Sequence, residues 1–336
     1  MTTPDDLLPF DRARFHTKPL AGRGHLVETA RFAKPVEPGA SAAEFVASLP
    51  DFLGASALRD LARAIVAAKA AGRPVVWGMG GHVVKVGLAP LLLDLMERGY
   101  VQGFVMNGSA AIHDAEIALA GSTSEDVGGG LFEGTYGNAE ETGRLYAEAA
   151  AASIKQGIGL GSALGDAVLA RRPRHAALSL LARAREAGVP VTVHVALGTD
   201  TVHMHPACDG AALGAASHGD FLRLASLIER MDGGVYVNIG SAVLLPEVFL
   251  KAVALVQNAK AHDGRPGARV RITTGNLDFI RQYRPRVNVV ERPAEKGYDL
   301  TGHHEILVPL LRLAILSLDA AEAAGRMTAP SADRPR

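Results

Sequence analysis

Apolar and polar positions follow a clear pattern in the first half of the chain. Val75–Trp77 is a short apolar run that ends in the glycine turn at residues 78–81, and apolar residues then recur at helical spacing from Val83 to Leu95. A short apolar run, a turn and an amphipathic segment are typical of a buried strand that leads into a helix. The pattern therefore predicts a strand–turn–helix unit.

A second unit of the same kind follows directly. Gly103–Met106 is another apolar run, the Asn-Gly-Ser-Ala sequence at residues 107–110 forms a tight turn, and Ile112–Leu119 has helical spacing. Parallel strands need a crossover connection, which is usually a helix. Two such units within about fifty residues therefore predict a parallel sheet with right-handed crossovers.

The rest of the chain continues the pattern. Further strands are predicted at Val191–Val195, Gly234–Ile239 and Arg269–Ile272. Helices are predicted at Ser56–Ala71 with Ser56 as the N-cap, Ala139–Gln156, Ala176–Ala187, Phe221–Met231, Glu247–Ala261 and Ile306–Ala323. The glycine-rich segment Gly157–Leu169 is predicted to be a turn between helices, because no strand precedes it. We expect an α/β fold with a mostly parallel sheet and helices on both faces.

The domain organisation follows from the same pattern. No linker separates two cores, so residues 51–325 are expected to form a single domain. Prolines interrupt any period in residues 1–50, which we interpret as an irregular arm that lies over a neighbouring segment or a partner subunit. Residues 326–336 are polar and are expected to be a disordered tail.

Charge and cysteine content narrow the functional classes. The 336 residues include 35 Lys and Arg against 35 Asp and Glu, so the formal net charge is +0. Balanced charge argues against a nucleic-acid partner and against an anionic membrane surface. The single cysteine, Cys208, cannot form an internal disulfide, no apolar run is long enough to span a membrane, and no secretory leader is evident. We expect a cytoplasmic protein.

The glycine turns suggest a ligand. A turn without Cβ atoms lets the backbone approach a bound group, and free amides at a helix start favour a phosphate or carboxylate. The alternative is that these glycines only satisfy chain geometry. In an open parallel sheet, ligands bind at the carboxyl ends of the strands, so Thr199 and Asp200, which follow Val191–Val195, join the candidates.

The order of the strand ends resembles deoxyhypusine synthase, whose modified Rossmann sheet binds NAD across these ends. The similarity extends over about residues 60–305 and is carried by the segments WGMGGH, GSAAIHDAEIAL, PVTVHVALGTDT, GGVYVNIGSAV and TTGNLDF. The Asn-Gly-Ser-Ala turn followed by His113-Asp114 is also similar to the NAD-binding part of the arginine dihydrolase and archaeal ornithine cyclodeaminase group. Both resemblances imply NAD as the cofactor, and the first implies a homotetramer.

The strand ends and these resemblances together indicate a set of cofactor-binding residues. They are Gly78, Gly80, Gly81, His82, Asn107, Gly108, Ser109, Asp114, Thr199, Asp200, Gly240, Ser241, Thr274, Gly275 and Asp278. Within this set, we expect Asp114 or Asp278 to bind a ribose hydroxyl. Deoxyhypusine synthase holds its substrate as an imine on a lysine a few residues after a glycine-rich strand end. Residues 240–247 contain no lysine here, so we do not expect hypusine formation.

The candidate catalytic residues are mostly histidines. They are His203, His205, Glu247, His303 and His304. On an extended segment, His203 and His205 would point the same way, and with His303 and Glu305 they could hold zinc. Alternatively the histidines act as bases beside the cofactor, or His303 and His304 only cap the final helix. Lys85 could steer phosphate or form an imine, although a solvated surface position is the simpler interpretation.

These observations predict an NAD-dependent enzyme. The substrate would be a small amine, amino acid or hydroxy compound. The enzyme would remove hydride from the carbon that carries the amine or hydroxyl group, in a transfer that is either transient or net. Transfer, elimination or addition would follow. Two alternatives remain: a zinc-dependent hydrolase or lyase that uses the histidines, and a non-catalytic NAD-binding protein.

Overall fold

A computed structural model describes residues 7–263, 269–323 and 325. Its centre is a six-stranded sheet in which all neighbouring strands are parallel, in the order β3-β2-β1-β4-β5-β6. The strands are β1 (Val75–Met79), β2 (Gly103–Asn107), β3 (Val191–His194), β4 (Gly234–Ile239), β5 (Ile272–Asp278) and β6 (Lys296–Thr301). The strand order reverses between β1 and β4, which makes that junction the switch point of a doubly wound sheet.

Helices cover both faces of the sheet. They are α1 (Ala42–Ser48), α2 (Leu53–Ala70), α3 (Gly81–Lys85), α4 (Ala89–Glu97), α5 (Gly108–Ala120), α6 (Val127–Glu133), α7 (Glu140–Gln156), α8 (Leu160–Ala170), α9 (Leu180–Glu186), α10 (Gly210–Glu229), α11 (Leu244–His262), α12 (Tyr283–Pro285) and α13 (His304–Ala323). Val75, Trp77 and Met79 of β1 pack in one core with α2 and α13, whereas Val76 and Tyr236 pack in a second core with α10 and α11. The α/β fold expected from the sequence is confirmed.

Several element boundaries differ from the expectation. Ser56 is not an N-cap, because α2 begins at Leu53 with Phe52 in the capping position. The segment Gly157–Leu169 is mostly helix α8 and not a turn, since Gly159 lies in extended conformation and the helix starts at Leu160. Gly161 allows the helix to approach β3: a Cβ there would lie 2.2 Å from the carbonyl oxygen of Val191.

The last two strands were the least accurate part of the prediction. β5 runs from Ile272 to Asp278, so Thr274 and Gly275 lie within the strand and not in the turn after it. β6 was missed altogether. Its sequence, KGYDLT, lies mostly exposed or half-buried at the edge of the sheet and offers no apolar run to the pattern.

The N-terminal segment has little regular structure. Within residues 7–41 it forms three short 3₁₀ turns, at Arg12–Arg14, Leu20–Gly22 and Thr29–Arg31, and almost every side chain is exposed. α1 then begins with a capping box between Ser41 and Glu44. Residues 326–336, expected to be a disordered tail, lie outside the described residues. In the part of the chain that the structure describes, no helix has both the length and the apolar character needed to cross a membrane.

Candidate functional site

Turns from four neighbouring strands touch one another along the carboxyl edge of the sheet. A Cβ added to Gly80, after β1, would lie 2.3 Å from the carbonyl oxygen of Gly240, after β4. A Cβ on Gly81 would lie 2.2 Å from Ser109 Oγ in the turn after β2, and one on Gly108 would lie 2.0 Å from Asp200 Oδ2, after β3. We call these residues (Gly240, Gly80, Gly81, Ser109, Gly108 and Asp200) the turn row. Because Gly80, Gly81 and Gly108 have no side chains, their backbone is accessible to a ligand above the row, beside the side chains of Ser109 and Asp200.

Two helices begin in the turn row. Gly80 is in the N-cap position of α3, and Asn107 caps α5 by accepting a hydrogen bond from the amide of Ala110 at 2.8 Å. The first amides of a helix carry partial positive charge and favour an anionic group. Since α5 has 13 residues, its N-terminus beside Ser109 is the better developed of the two.

Some of the expected cofactor residues serve packing instead. Gly78 lies inside β1, where a Cβ would be 2.3 Å from the Tyr236 hydroxyl oxygen. Gly275 lies under Leu61, and the buried Thr274 hydroxyl donates to the carbonyl of Val289 at 2.8 Å. Ser241 Oγ accepts a hydrogen bond from the amide of Leu245 at 3.2 Å, at the start of α11. The structure does not bring Gly78, Gly275 or Thr274 to the turn row.

The carboxylate of Asp114 is also occupied. It is buried and accepts hydrogen bonds from Ser179 Oγ at 2.6 Å and from the amides of Leu180 and Leu181 at 2.7 and 3.0 Å. Asp114 thus joins α5 to the N-terminus of α9. Burial raises the pKa of Asp114 to about 6, although the three hydrogen bonds favour the charged form and act to lower it. A carboxylate with these partners is not placed to bind a ribose hydroxyl in the crevice.

A cavity of about 820 Å³ opens beside the β2 and β3 end of the turn row. Its polar lining residues include Lys85, Ser109, His113, Glu116, Thr123 and Asp200. Its volume is within the range of pockets that bind small molecules. Ser109, His113 and Glu116 share one face of α5; sequence reasoning did not group them, although their spacing of four and three residues is a signal that could have indicated this wall.

Hydrogen bonds hold this wall together. His113 Nδ1 lies 2.7 Å from Thr123 Oγ1, Thr123 donates to Glu116 Oε2, and Thr142 donates to Glu116 Oε1 at 3.2 Å. Burial acts to raise the pKa of Glu116, but the nearby His113, with Nδ1 at 3.7 Å from Oε2, and the hydrogen bond from Thr123 outweigh it, so the pKa lies below its ordinary value. Burial raises the pKa of Asp200. The lowered pKa of Glu116 favours a negative charge on this wall, and Lys85 also lines the cavity.

The structure does not place His203 and His205 side by side. Residues 201–204 form a 3₁₀ helix, so the two-residue repeat of an extended strand does not apply. His203 Nδ1 accepts hydrogen bonds from the amides of Gly198 and Asp200 at 3.0 and 3.2 Å, and its Nε2 lies 3.9 Å from Asp200 Oδ2. His205 Nε2 lies 3.1 Å from Glu140 Oε2. His203 thus shapes the Asp200 loop, and His205 joins that loop to α7.

Glu247 is held by cations on the surface of α11. Its carboxylate accepts from Lys251 Nζ, lies 3.2 Å from Arg284 Nε, and accepts from the Asn288 side-chain amide at 2.9 Å. Because its charge is already matched, it is not free to receive a substrate ammonium. Thr199 is likewise bonded locally, through its hydroxyl to the carbonyl of Ala196 at 2.7 Å, although it lines the cavity.

Two histidines meet at the opposite end of the turn row. His82 Nδ1, on α3, lies 2.9 Å from His304 Nδ1, on α13, and His304 Nε2 lies 3.8 Å from Asp278 Oδ1 at the end of β5. His304 and Asp278 are buried, whereas His82 and His303 are exposed. Sequence reasoning named these residues separately but not as a group, because 222 residues separate the two histidines.

The zinc set expected as an alternative is not assembled. Across residues 7–263, 269–323 and 325, no three side chains of His, Cys, Asp or Glu are arranged to share a metal ion. His203, His205, His303 and Glu305 therefore do not form a ligand set. His303 instead lies 3.7 Å from Glu305 on the exposed side of α13.

Comparison with known proteins shows the fold. No protein-family model and no curated protein matches the sequence. Among solved structures, a LOR/SDH-type protein from Methanococcus maripaludis is similar with a TM-score of 0.50 and 14% identity, over 90% of this chain and 76% of that chain. This likeness supports the Rossmann-like α/β fold.

Two further solved structures are similar at lower TM-scores. AgrE, solved in a ternary complex with ornithine and NAD⁺, has a TM-score of 0.49 and 14% identity over 78% of this chain; the chain spans about a third of AgrE, 33% of its length. A deoxyhypusine synthase-type protein from Entamoeba histolytica has a TM-score of 0.43 and 11% identity, over 84% of this chain and 95% of that chain.

Proposed function

We propose that the turn row binds NAD and that the protein is an enzyme that oxidises a small amine, amino acid or hydroxy compound. One observation carries the proposal: the turns after β1, β2, β3 and β4 are in contact along the carboxyl edge of the sheet, across its switch point, and in each contact one partner is a glycine that has no room for a Cβ. A dinucleotide is the ligand that this position in a doubly wound sheet typically takes. When bound, NAD would accept hydride from the substrate.

The residues present fit such a ligand. The amides at the start of α3 and α5 would face the diphosphate, because the missing Cβ atoms of Gly80, Gly81 and Gly108 leave the backbone accessible. Asp200 Oδ2 lies over Gly108 at the end of β2, close to where dinucleotide-binding sheets place the carboxylate that binds ribose. We therefore assign the ribose contact to Asp200 in place of Asp114.

The substrate site would then adjoin the cofactor. The 820 Å³ cavity offers both Lys85 and the carboxylates of Glu116 and Asp200, so it suits a molecule with charged ends of both signs. A zwitterionic amino acid has such ends. No lysine follows Gly240 within the turn, and Lys251 is paired with Glu247, so we propose oxidation or elimination and not transfer through a lysine imine.

The test is a titration of the purified, NAD-free protein with NAD⁺, followed by calorimetry. We expect a saturable site, and we expect Asp200→Asn to weaken it about tenfold or more, because a hydrogen bond to a charged group contributes about 1.5–3 kcal/mol. Asp166→Asn is the control, since Asp166 is half-buried on α8 and pairs with Arg185. Absence of binding in the wild type, or equal affinity in Asp200→Asn, would contradict the assignment.

Catalysis is tested separately. Incubation with NAD⁺ and a panel of amino acids, amines and hydroxy acids should give NADH absorbance or, where hydride returns to the intermediate, a changed substrate detected by mass spectrometry. The activity should survive chelator treatment. Activity that tracks zinc content would favour the hydrolase alternative, and binding without turnover of any compound would favour the non-catalytic one.

A further inference from the structure

We propose that Asp278, His304 and His82 form a relay in which Nε2 of His82 accepts the proton released when the substrate is oxidised. This inference rests on the proposed function, because it assigns the proton-accepting group of the same site. In this scheme His82 is the catalytic residue, and His304 and Asp278 are positioning residues that act through it.

The relay lies directly beside the turn row. His304 is the first residue of α13, and Gly240, in the turn row, makes room for its ring: a Cβ on Gly240 would lie 2.6 Å from His304 Cε1. Gly240 also has φ of +62°, which disfavours other residues there. His82 belongs to the first turn of α3, next to Gly81. His304 and Asp278 therefore lie on the β4 and β5 side of the switch point, whereas His82 is on α3, where Gly81 lies against Ser109 and where Lys85 lines the cavity.

Burial determines which groups can carry charge. His304 is 0% exposed and Asp278 is 3% exposed, whereas His82 reaches the surface. Burial lowers the pKa of His304, although the Asp278 carboxylate acts against this, so His304 is neutral near pH 7. Burial also raises the pKa of Asp278, while the charge of His304 and the amide of Phe279 act to lower it.

The proton positions follow from the geometry. His304 Nε2 is buried and has no hydrogen-bond partner among the described residues, and Asp278 Oδ1 lies 3.8 Å from it, so we assign the ring hydrogen to Nε2, where the carboxylate favours it. Nδ1 of His304 then has a free lone pair, and at 2.9 Å it must accept from Nδ1–H of His82. This leaves Nε2 of His82 unprotonated, and no described residue forms a hydrogen bond with it. A neutral histidine in this tautomer is a base.

Aromatic contact restricts solvent around the pair. The ring centroid of Phe279 is 5.6 Å from that of His82 and 5.6 Å from that of His304. Two other acidic groups act on the relay: Glu305, on α13, acts on His304, and Asp299, on β6, acts on Asp278. Asp299 is itself paired with Arg281, whose Nε lies 3.1 Å from its Oδ2. The carboxylates of Asp278 and Glu305 therefore favour a positive charge on the histidine pair.

The chemical step is balanced. The C–H bond of the carbon that bears the hydroxyl or amine would break, and NAD⁺ held by the turn row would supply the two-electron acceptor for the hydride. The O–H or N–H proton moves to His82 Nε2, and the carbon becomes a carbonyl or imine carbon. The positive charge on His82 is stabilised through His304 Nδ1 and, behind it, the Asp278 carboxylate, in the manner of a carboxylate that orients and supports a catalytic histidine.

Histidine NMR of the NAD-free protein tests the relay independently of cofactor binding. We would record ¹H–¹⁵N correlations of ring nitrogens from pH 5 to 9 in wild type, His82→Gln, His304→Gln, Asp278→Asn and, as a control, His303→Gln. The first two variants assign the signals. We expect His82 in the Nδ1–H form and His304 in the Nε2–H form at neutral pH. We also expect Asp278→Asn to lower the pH midpoint at which the histidine pair gains its first proton by about one unit.

The outcomes separate the two proposals. The relay is wrong, even where NAD binds, if His82 carries its hydrogen on Nε2. It is also wrong if the midpoint in Asp278→Asn stays within about 0.2 units of the wild-type value, as we expect for the control His303→Gln. If the tautomers and midpoint shift are as expected but NAD does not bind, the relay is supported and the proposed cofactor is wrong. In the active enzyme, His82→Gln should lower kcat about a hundredfold or more with little change in KM.

Discussion

The carbonyl oxygen of Gly240 lies against Cα of Gly80, so closely that a Cβ on Gly80 would be 2.3 Å from it. The amide of Gly80 also donates to the carbonyl of Ile239 at 2.9 Å. These contacts join the ends of β1 and β4 by backbone alone, at the point where the strand order reverses. The arrangement explains why both turns carry glycine and why the crevice above them is lined by backbone.

Gly80→Ala should therefore destabilise the protein. The added methyl group meets a carbonyl oxygen and not a flexible side chain, so the two strand ends must move apart, at a cost of about 1–3 kcal/mol. Chemical denaturation should show a lower free energy of unfolding. Gly210→Ala is the matched control, because nothing lies within 4 Å of a Cβ at Gly210 in α10, and it should be neutral or slightly stabilising. Equal effects of the two substitutions would contradict the close contact.

The sequence predicted the central strands best. Gly234–Ile239 was predicted with the boundaries that β4 has, because a buried strand that is apolar on both faces forms a continuous run bounded by glycines. β5 was displaced because Thr273, Thr274, Gly275 and Asn276 resemble a turn, yet all four are extended, with Thr273 half-buried and the other three buried. Their polar groups are satisfied within the fold, as by the bond from Asn238 to Asn276 at 2.9 Å, and such pairing across strands cannot be seen in one sequence.

Asp114→Asn should reduce stability without changing NAD affinity. The buried carboxylate has three donors, and an amide nitrogen placed among them leaves at least one unsatisfied, at a cost of about 1–3 kcal/mol. A change of more than twofold in the dissociation constant for NAD would instead place Asp114 in the site.

The loss of stability in Asp114→Asn should also depend on pH. The folded-state pKa of Asp114, about 6, exceeds the ordinary value of 3.8, so its protonated form contributes stability below about pH 4 that is lost as pH rises through 6. The wild type loses about 1 kcal/mol from this group between pH 5 and 7.5, whereas the amide does not titrate. Denaturation of both proteins at the two pH values should therefore show a smaller deficit at pH 7.5.

His194 should make the protein less stable in acid. It is buried at the end of β3, with Nε2 at 3.0 Å from Thr192 Oγ1, and burial lowers its pKa to about 3. Below about pH 6.5 the unfolded chain binds a proton here that the native protein does not, so stability falls by about 1.4 kcal/mol per pH unit. The contribution is fully present above pH 6.5.

His194→Gln removes this dependence. The variant should be less stable at pH 7, because a packed ring is lost, but its deficit should shrink by about 2 kcal/mol at pH 5. Urea denaturation at both pH values gives the comparison. His218→Gln, at an exposed position on α10, should show a constant difference from wild type. If the curves for wild type and His194→Gln stay parallel, His194 is protonated in the folded protein.

The site was only partly predictable, because some of its contacts join residues that are far apart in the sequence. The turn row was expected because each glycine follows its own strand locally. The pairing of His82 with His304 depends on where α13 packs, and no local signal in the sequence reports a contact between residues so far apart. The prediction for His203 and His205 failed for the opposite reason. Their His-x-His spacing suggested a shared ligand, but residues 201–204 form a 3₁₀ helix, so the two side chains do not point the same way.

The N-terminal arm should contribute to assembly. Exposed large apolar side chains are concentrated there, with Leu8 at 88% and Leu26 at 90% exposure, and Phe10 and Phe15 also exposed. Apolar surface of this extent is typical of a protein interface. We expect the wild type to be an oligomer in light scattering coupled to gel filtration, and the triple substitution Leu8→Ser, Phe10→Ser, Phe15→Ser to raise its dissociation constant at least tenfold.

The control substitutes the same number of arm residues without removing apolar area. Arg12→Gln, Lys18→Gln and Arg23→Gln change three exposed cations and should leave the molar mass unchanged at each protein concentration. Circular dichroism should be alike in all three proteins, because the substituted side chains are not buried in the core. A wild type that is monomeric at micromolar concentration, or two triple variants that dissociate equally, would show that the arm does not bind a second copy through its apolar side chains.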